Sequence, residues 1–324
     1  MTTKRRFLLS AGTLLLGAPL AARPQPAKMY RIMYVGTNPP IEAAFLKRMR
    51  ELGYVEGRNL VIERRFVQGK RERIAEFLAE APRLKVDLIV AISTTVAVAA
   101  KKAGNDIPVV FGSVFDPVGA GLVTDLARPG GNITGSSSGH GGSGLDGKLV
   151  ELLKEAVPGL SQLAVLAYPA EPDNKHYVAD IEKAAKALGI KVEVHGATNP
   201  AELDKAFAAI GAGHAKGLVM TRSLFFTANR EKILQFAAAR RLPAAYPFKD
   251  FVGAGGLMSY TASPDEWYGN VAEQVDRILK GDKPSNLPVR QPTRYDLALN
   301  LRTAKALGLT LPQALLVRAE EVIE

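Results

Sequence analysis

Two similar α/β lobes, each a doubly wound parallel sheet, joined by three passages of chain, are the fold this sequence predicts. Three observations carry the expectation. Apolar runs of strand length alternate with amphipathic helices along most of the 324 residues. A helix, a Leu-Gly stop and a strand occur twice, over Phe45–Phe66 and over Ile181–Val194. Between the two copies, Ile107 to Ser138 reads as the end of one sheet and the departure of the chain from it.

In the first lobe, Tyr30 to Val35 is a buried-type strand running into Gly36, Thr37, Asn38, Pro39 and Pro40. A helix follows from about Ile41 to Leu52, with Ala44, Phe45, Met49 and Leu52 on one face, and Gly53 stops it. Leu60 to Phe66 is the second strand and Glu72 to Pro82 brackets the second helix. Asp87 to Ile92 is a near-continuous apolar run, of the kind buried on both faces. Ser93, Thr94 and Thr95 open an Ala/Val helix to Ala103. Val109 to Phe111, after Pro108, is the fourth strand. Asp116 and Pro117 suit the N-cap and first turn of a short helix reaching about Leu126. Pro129 to Asn132 break the chain, and Ile133 and Thr134 begin a strand that runs into Ser/Gly-rich sequence.

The alternation then restarts. Helices are expected over Leu145–Val157, Lys175–Leu188, Leu203–Ile210 and Phe225–Arg240. Strands are expected over Gln162–Ala167, Lys191–His195, Gly217–Met220 and Ala244–Pro247. Leu257 to Tyr260 is a second crossover strand, and the helix over Glu266–Leu279 should return to the first lobe. The Pro-rich tail from Lys283 to Pro292 is a third passage, followed by an edge strand over Asp296–Leu301 and short helices, with Glu320 and Glu321 in an amphipathic tail helix. Residues 28–134 and 261–285 thus form the first lobe and 135–256 and 290–324 the second, with crossovers near 133–138, 257–262 and 284–292.

Residues 1–27 stand apart. Lys4, Arg5 and Arg6 precede an apolar run from Phe7 to Leu20, and Ala21-Ala22 offer a small-residue cleavage site. This is the pattern of a secretory signal peptide, too short for the roughly 20 apolar residues of a membrane span. The order Thr3-Lys4-Arg5-Arg6-Phe7-Leu8 also resembles a twin-arginine export signal. The expected location is therefore the periplasm. With 0 Cys the chain is neither a lipid-anchored lipoprotein nor disulfide-bonded. The net charge of +10 falls once Lys4, Arg5, Arg6 and Arg23 leave with the leader. The remaining cations are interspersed with acids, as where Lys70, Arg71 and Arg73 alternate with Glu72 and Glu76, so no nucleic-acid surface is expected.

Catalytic motifs are weak. Gly142-Ser143-Gly144-Leu145-Asp146-Gly147 fits GxGxxG, and with Lys148 most of a P-loop. Leu149 stands where the P-loop needs a hydroxyl, and Ser136 to Gly141 separate the first glycine from its strand. A flexible linker is the simpler reading; a nucleotide-dependent α/β enzyme using residues 142–147 is the rival one. Gly135-Ser136-Ser137-Ser138-Gly139 matches a nucleophile elbow but leads into more glycine and not into a helix. His140, His176, His195 and His214 are scattered, and no metal or cofactor is expected.

In open α/β sheets, ligands bind beyond the carboxyl ends of the strands. Those ends carry Thr37, Asn38, Ser93, Thr94 and Thr95, then Phe115 and Asp116, in the first lobe. The second supplies Tyr168, Asn174, Thr221, Arg222 and Phe248, with Ser136 and Tyr260 at two crossovers. Ser93-Thr94-Thr95 at a helix start suits a carboxylate. Phe115, Tyr168 and Phe248 suit an apolar or aromatic group. Each has a plainer alternative: Asn38, Ser93, Thr94 and Asp116 as helix caps, Phe115 and Phe248 as core. Tyr168, before a proline, is expected to line a surface.

Several stretches together resemble the ABC-transporter substrate-binding proteins whose relatives bind tryptophan or tyrosine. They include IPVVF at 107–111, DPV at 116–118, LARPGGNITG at 126–135, KLVELLKEAVPG at 148–159, GGLMSY at 255–260 and LRTAKALGL at 301–309. The resemblance implies a type I periplasmic-binding fold closing by a hinge, with residues after the first-lobe strands gripping the polar end of the ligand. It also implies partnership with an ABC permease of the inner membrane, action as a monomer, and capture of a small polar or aromatic carboxylate-containing ligand. A sensor that signals to a membrane receptor is the alternative role. Two departures stand out. In Glu171-Pro172-Asp173-Asn174-Lys175 only Asn174 matches the relatives' pattern, and Arg222 stands where a small or acidic residue is usual. Facing the cleft, Arg222 would favour a second carboxylate on the ligand.

Overall fold

The computed structural model describes residues 28–36, 42–138 and 144–324, so the leader, Thr37, Asn38 and the first half of the glycine-rich loop lie outside the described residues. The first sheet holds β1 (Tyr30–Gly36), β2 (Leu60–Phe66), β3 (Leu88–Ile92), β4 (Val109–Val114) and β5 (Ile133–Ser137), all parallel, in the order β2-β1-β3-β4-β5. Parallel strands need crossovers: α1 (Glu42–Glu51) supplies one on one face, and α2 (Arg73–Leu84) and α3 (Thr94–Lys102) the others on the opposite face. All five residues of β3 are buried, as its apolar run requires. Phe77, Val96 and Ala97 pack with Met33, Ile89 and Phe111 on one face. On the other, Phe45 and Met49 pack with Tyr34, Leu88 and Val90.

The second lobe contains α4 (Leu145–Ala156), β6 (Gln162–Ala167), α5 (Asn174–Ala187), β7 (Lys191–Gly196), α6 (Pro200–Ala212), β8 (Gly217–Met220), α7 (Leu224–Ala228), α8 (Arg230–Ala239), β9 (Ala244–Tyr246), α9 (Lys249–Gly253) and β10 (Met258–Ala262). The chain then passes through α10 (Pro264–Leu279) before β11 (Tyr295–Asn300), α11 (Leu301–Leu307), α12 (Gln313–Arg318) and β12 (Glu321–Ile323). The strand order is β12-β11-β10-β9-β8-β6-β7. Local sequence explains the ends well. Asn199 caps α6 by accepting the Glu202 N–H while Pro200 occupies its first turn, and Asn300 caps α11, which Gly308 ends at φ 73°.

Three passages link the lobes. One follows β5, one joins β10 to α10, and the third runs from Leu287 to Thr293. Trp267, Val271 and Val275 of α10 join the core of the first lobe. The third passage lies along β5: Arg290 donates its N–H to Gly135 and accepts that of Ser137. The Glu266 carboxylate receives the N–H groups of Thr293 and Arg294 and the Thr293 hydroxyl, tying the start of α10 to this passage.

Four sequence expectations are corrected. Asp116 to Leu126 forms successive turns in place of a helix, because Gly119 and Gly121 (φ 67°) interrupt it. Phe225 to Arg240 is two helices, broken at Asn229, whose side chain donates to the Phe225 carbonyl. Asp296 to Leu301 is not an edge strand; β11 lies inside the sheet, antiparallel to β10, because the chain re-enters from α10. Glu320 and Glu321 do not lie in a tail helix: β12 pairs in parallel with β11 and covers its edge. Among the described residues no helix is long and apolar enough to cross a membrane.

Candidate ligand site between the lobes

The carboxyl ends of both sheets face one another across a cavity of about 540 Å³. That is within the ~300–1,000 Å³ usual for small-ligand sites. Serines at the ends of three adjacent strands line its first-lobe wall: Ser93 after β3, Ser113 near the end of β4, and Ser138 after β5. Ser93 (φ 105°) and Ser113 (φ 57°) both hold backbone conformations that side chains with a Cβ rarely adopt. Such residues cost about 1–3 kcal/mol each and concentrate at functional sites. Ser93 also caps α3, accepting the Val96 N–H at 3.3 Å.

Gly112 explains how an aromatic ring reaches this wall. A Cβ there would meet the Cζ2 atom of Trp267 at 2.8 Å, so only glycine lets the indole lie against the end of β4. Trp267 and Tyr268 pack edge to face with centroids 4.1 Å apart, and both line the cavity. Tyr177, Arg222, Ser223 and Phe248 face them from the second lobe.

The opening of α3 is not available to a ligand. Glu171 and Asp173, in the loop between β6 and α5, reach across from the other lobe. Thr94 donates its hydroxyl to Asp173, and Thr95 donates its hydroxyl to Glu171 at 3.0 Å and its N–H at 3.3 Å. The Phe115 N–H and the Tyr177 hydroxyl approach Asp173 at 3.4 Å. The helix N-terminus thus receives its anion from within the chain. Burial pushes the Glu171 carboxyl from 4.5 up to about 7, with Thr95 opposing and Asp173 adding to the shift. Asp173 is raised by burial too, against its bond from Thr94.

Arg222 is likewise engaged internally. Its Nη1 contacts both oxygens of the fully buried Asp146 at 2.6 and 2.7 Å, and its guanidinium lies 5.4 Å from the Tyr177 ring centre. Its charge is neutralised from behind, which corrects the expectation that it would select a second carboxylate. Among the described residues, its Nε and Nη2 make no hydrogen bond, so it can still donate to a ligand. Asp146 is also the fifth residue of the GxGxxG stretch, and a buried carboxylate there would repel a phosphate.

Of the residues singled out from sequence, Ser93, Arg222 and Phe248 line the cavity. Thr94 and Thr95 bind the opposite lobe. Phe115 is buried edge-on against Tyr177 and stacks near His176. Asp116 accepts the Gly119 N–H within its own turn. Tyr168 is buried and stacked on Phe225, contrary to the expected surface position, because α7 folds over it. Thr221 takes the Tyr168 N–H and donates to Asn174 at 3.3 Å, so both fix the loop ends. Ser136 is buried in β5, and Tyr260 stacks on Tyr295. The sequence reading did not select Ser113, Ser138, Glu171, Tyr177, Trp267 or Tyr268. The available signals were a Gly-Ser pair ending β4 and a lone tryptophan in the helix returning to the first lobe.

Thr94→Val keeps the branched shape but removes the hydroxyl that meets Asp173. It is expected to weaken the contact between lobes by about 1–3 kcal/mol. At pH 5, where protonation of Glu171 favours the closed form, the radius of gyration of the ligand-free protein in solution should rise; unchanged scattering there would show that this bond does not hold the lobes together.

Two look-alike sheets joined by three passages, with a cavity between their carboxyl ends, define a solute-binding protein of the type I periplasmic-binding fold. The chain belongs to the ABC transporter substrate binding protein family, whose profile matches residues 40–323. This is a family of solute-binding proteins, not of enzymes; its members bind small molecules, interact with ABC permeases and are typically extracellular or periplasmic. A tyrosine-binding protein of Clostridioides difficile (strain R20291) is 27% identical over 265 residues, covering 82% of this chain and 75% of its own. An ABC domain from Streptococcus pneumoniae in complex with L-Trp superposes with a TM-score of 0.82 at 24% identity, over 91% of this chain and 100% of that one. The ligand-free, open structure of a Clostridium difficile substrate binding protein with adhesive properties gives 0.63 at 26% identity, over 91% and 99%.

Proposed function

We propose that the mature chain is the periplasmic solute-binding component of an ABC importer, and that its two lobes close on an aromatic amino acid. The observation that carries this reading is the cavity between two lobes already joined by Thr94–Asp173 and Thr95–Glu171. Closure of that kind excludes water and strengthens polar contacts inside. Tyr177, Phe248 and Trp267 offer faces and edges for a ring, and the serines offer hydroxyls for polar groups. Charges of both signs balance around the cavity: Lys47, Arg50, Lys249 and Arg222 against Glu171, Asp250 and Asp265, with Asp146 behind Arg222. That balance suits a zwitterion better than an anion. The relatives that bind tyrosine and L-Trp point to the same ligand class, and the leader at 1–27 supports export.

A thermal-shift screen of the mature protein against amino acids, dicarboxylates and nucleotides tests the reading. At 100 times Kd a ligand adds about 2.7 kcal/mol, enough to raise Tm by several degrees. L-Tyrosine or L-tryptophan should give the largest shift. A shift with nucleotides alone, or with none of the amino acids, would contradict it.

A further inference from the structure

Among the described residues, two hydrogen-bond donors in the cavity wall have no partner. Trp267 and Ser138 are each 8% exposed and line the cavity, yet the indole Nε1–H and the Ser138 Oγ are buried and make no hydrogen bond. Leaving a buried polar group unpaired costs about 1–3 kcal/mol, so two at one place call for an explanation.

Their positions converge. The Cζ2 atom of Trp267 lies over Gly112, which puts the N–H edge of the indole at the end of β4. Ser138 is held at the same strand end, because its N–H donates to the Val114 carbonyl while Gly112 pairs with Ser136. Trp267 can only donate, so what it meets must accept. Ser138 is free to turn its hydroxyl toward the same group.

We propose that Trp267 Nε1–H and Ser138 Oγ–H form a two-donor subsite for an acceptor oxygen group of the ligand, one that makes binding depend on that oxygen. The inference rests on the aromatic amino acid reading for its probes, and two sources of such an oxygen exist, the α-carboxylate and a ring hydroxyl. A site built to hydrogen-bond a ligand oxygen discriminates strongly against the analogue lacking it, because its donors are then left unpaired.

The test compares wild type with Trp267→Phe, which keeps the ring and loses the N–H, and with Ser138→Ala, a smaller change. Calorimetric titrations use L-tyrosine, L-phenylalanine and tyramine. Both variants should lose about tenfold or more in affinity for each ligand that carries the contacted oxygen, and little for the one without it. Loss for both amino acids with tyramine spared assigns the carboxylate; loss for tyrosine and tyramine with phenylalanine spared assigns the hydroxyl. Wild-type affinity for all three in both variants, or an equal loss for all three, overturns the subsite. Wild-type protein that binds none of the three overturns the ligand reading instead. Because Trp267 is the only tryptophan, its indole N–H gives a single NMR signal that tests the subsite independently of the panel. It should move downfield on addition of whichever amino acid raises Tm. A signal already at a hydrogen-bonded position in the free protein, or unmoved at saturation, overturns the proposal.

Discussion

Replacing Asp146 with alanine is expected to cost about 3–5 kcal/mol of folding stability, the largest loss from any single substitution argued for this protein. The carboxylate is fully buried and Arg222 only 6% exposed, with two contacts of 2.6 and 2.7 Å between them. Removing the carboxylate leaves the nearly buried Arg222 charge without its counter-ion. The pair need not be worth that much in itself, since two well-packed apolar side chains often serve as well. Asp146→Ala combined with Arg222→Met should therefore recover much of the loss, giving a large interaction energy in a double-mutant cycle read by urea unfolding. A single Asp146→Ala variant within 1 kcal/mol of wild type would show that the contact is not an ion pair of this kind.

Lowering the pH from 7.5 to 5 is expected to tighten ligand binding, by on the order of tenfold or more. Glu171 carries the effect. Closure buries its carboxyl against α3 and raises it from 4.5 to about 7, whereas separated lobes would expose it to water. A group raised in the closed form takes up a proton on closing between those values. Closure is then favoured most below pH 4.5, and the advantage is lost as the pH rises through 7. Asp173 is raised by burial and acts in the same direction. Glu171→Gln, neutral throughout and still able to accept from Thr95, should bind at pH 7.5 nearly as tightly as wild type does at pH 5, with a flattened profile. A variant with the wild-type slope, or wild-type binding that weakens toward pH 5, would remove Glu171 from this role.

What the sequence reveals about the fold and what it leaves hidden divide along the range of the interactions. Strands such as Leu88–Ile92 are visible because five consecutive apolar residues admit few alternatives, and Ser93 is visible because a hydroxyl opens the next helix. β12 escaped notice because three residues carry no period of their own and depend on β11 for their pairing. The site shows the same division. Arg222 could be placed at a strand end, but its partner lies 76 residues away. Thr94 and Thr95 read as donors to a ligand carboxylate at a helix start, whereas the carboxylates they meet are those of Asp173 and Glu171, 79 and 76 residues further on. For Trp267 the local signal is no more than a lone tryptophan, since which face of α10 meets the cavity depends on how Gly112 admits the ring.

The most direct test of closure on a captured solute is a crystal structure of the mature protein with the amino acid that raises Tm most. Ligand density should lie between Ser93, Ser138 and Trp267 on one side and Arg222 and Phe248 on the other, with Glu171 still against Thr95. Density at any other place on the surface, or lobes parted with the cavity empty at saturating ligand, would contradict the account.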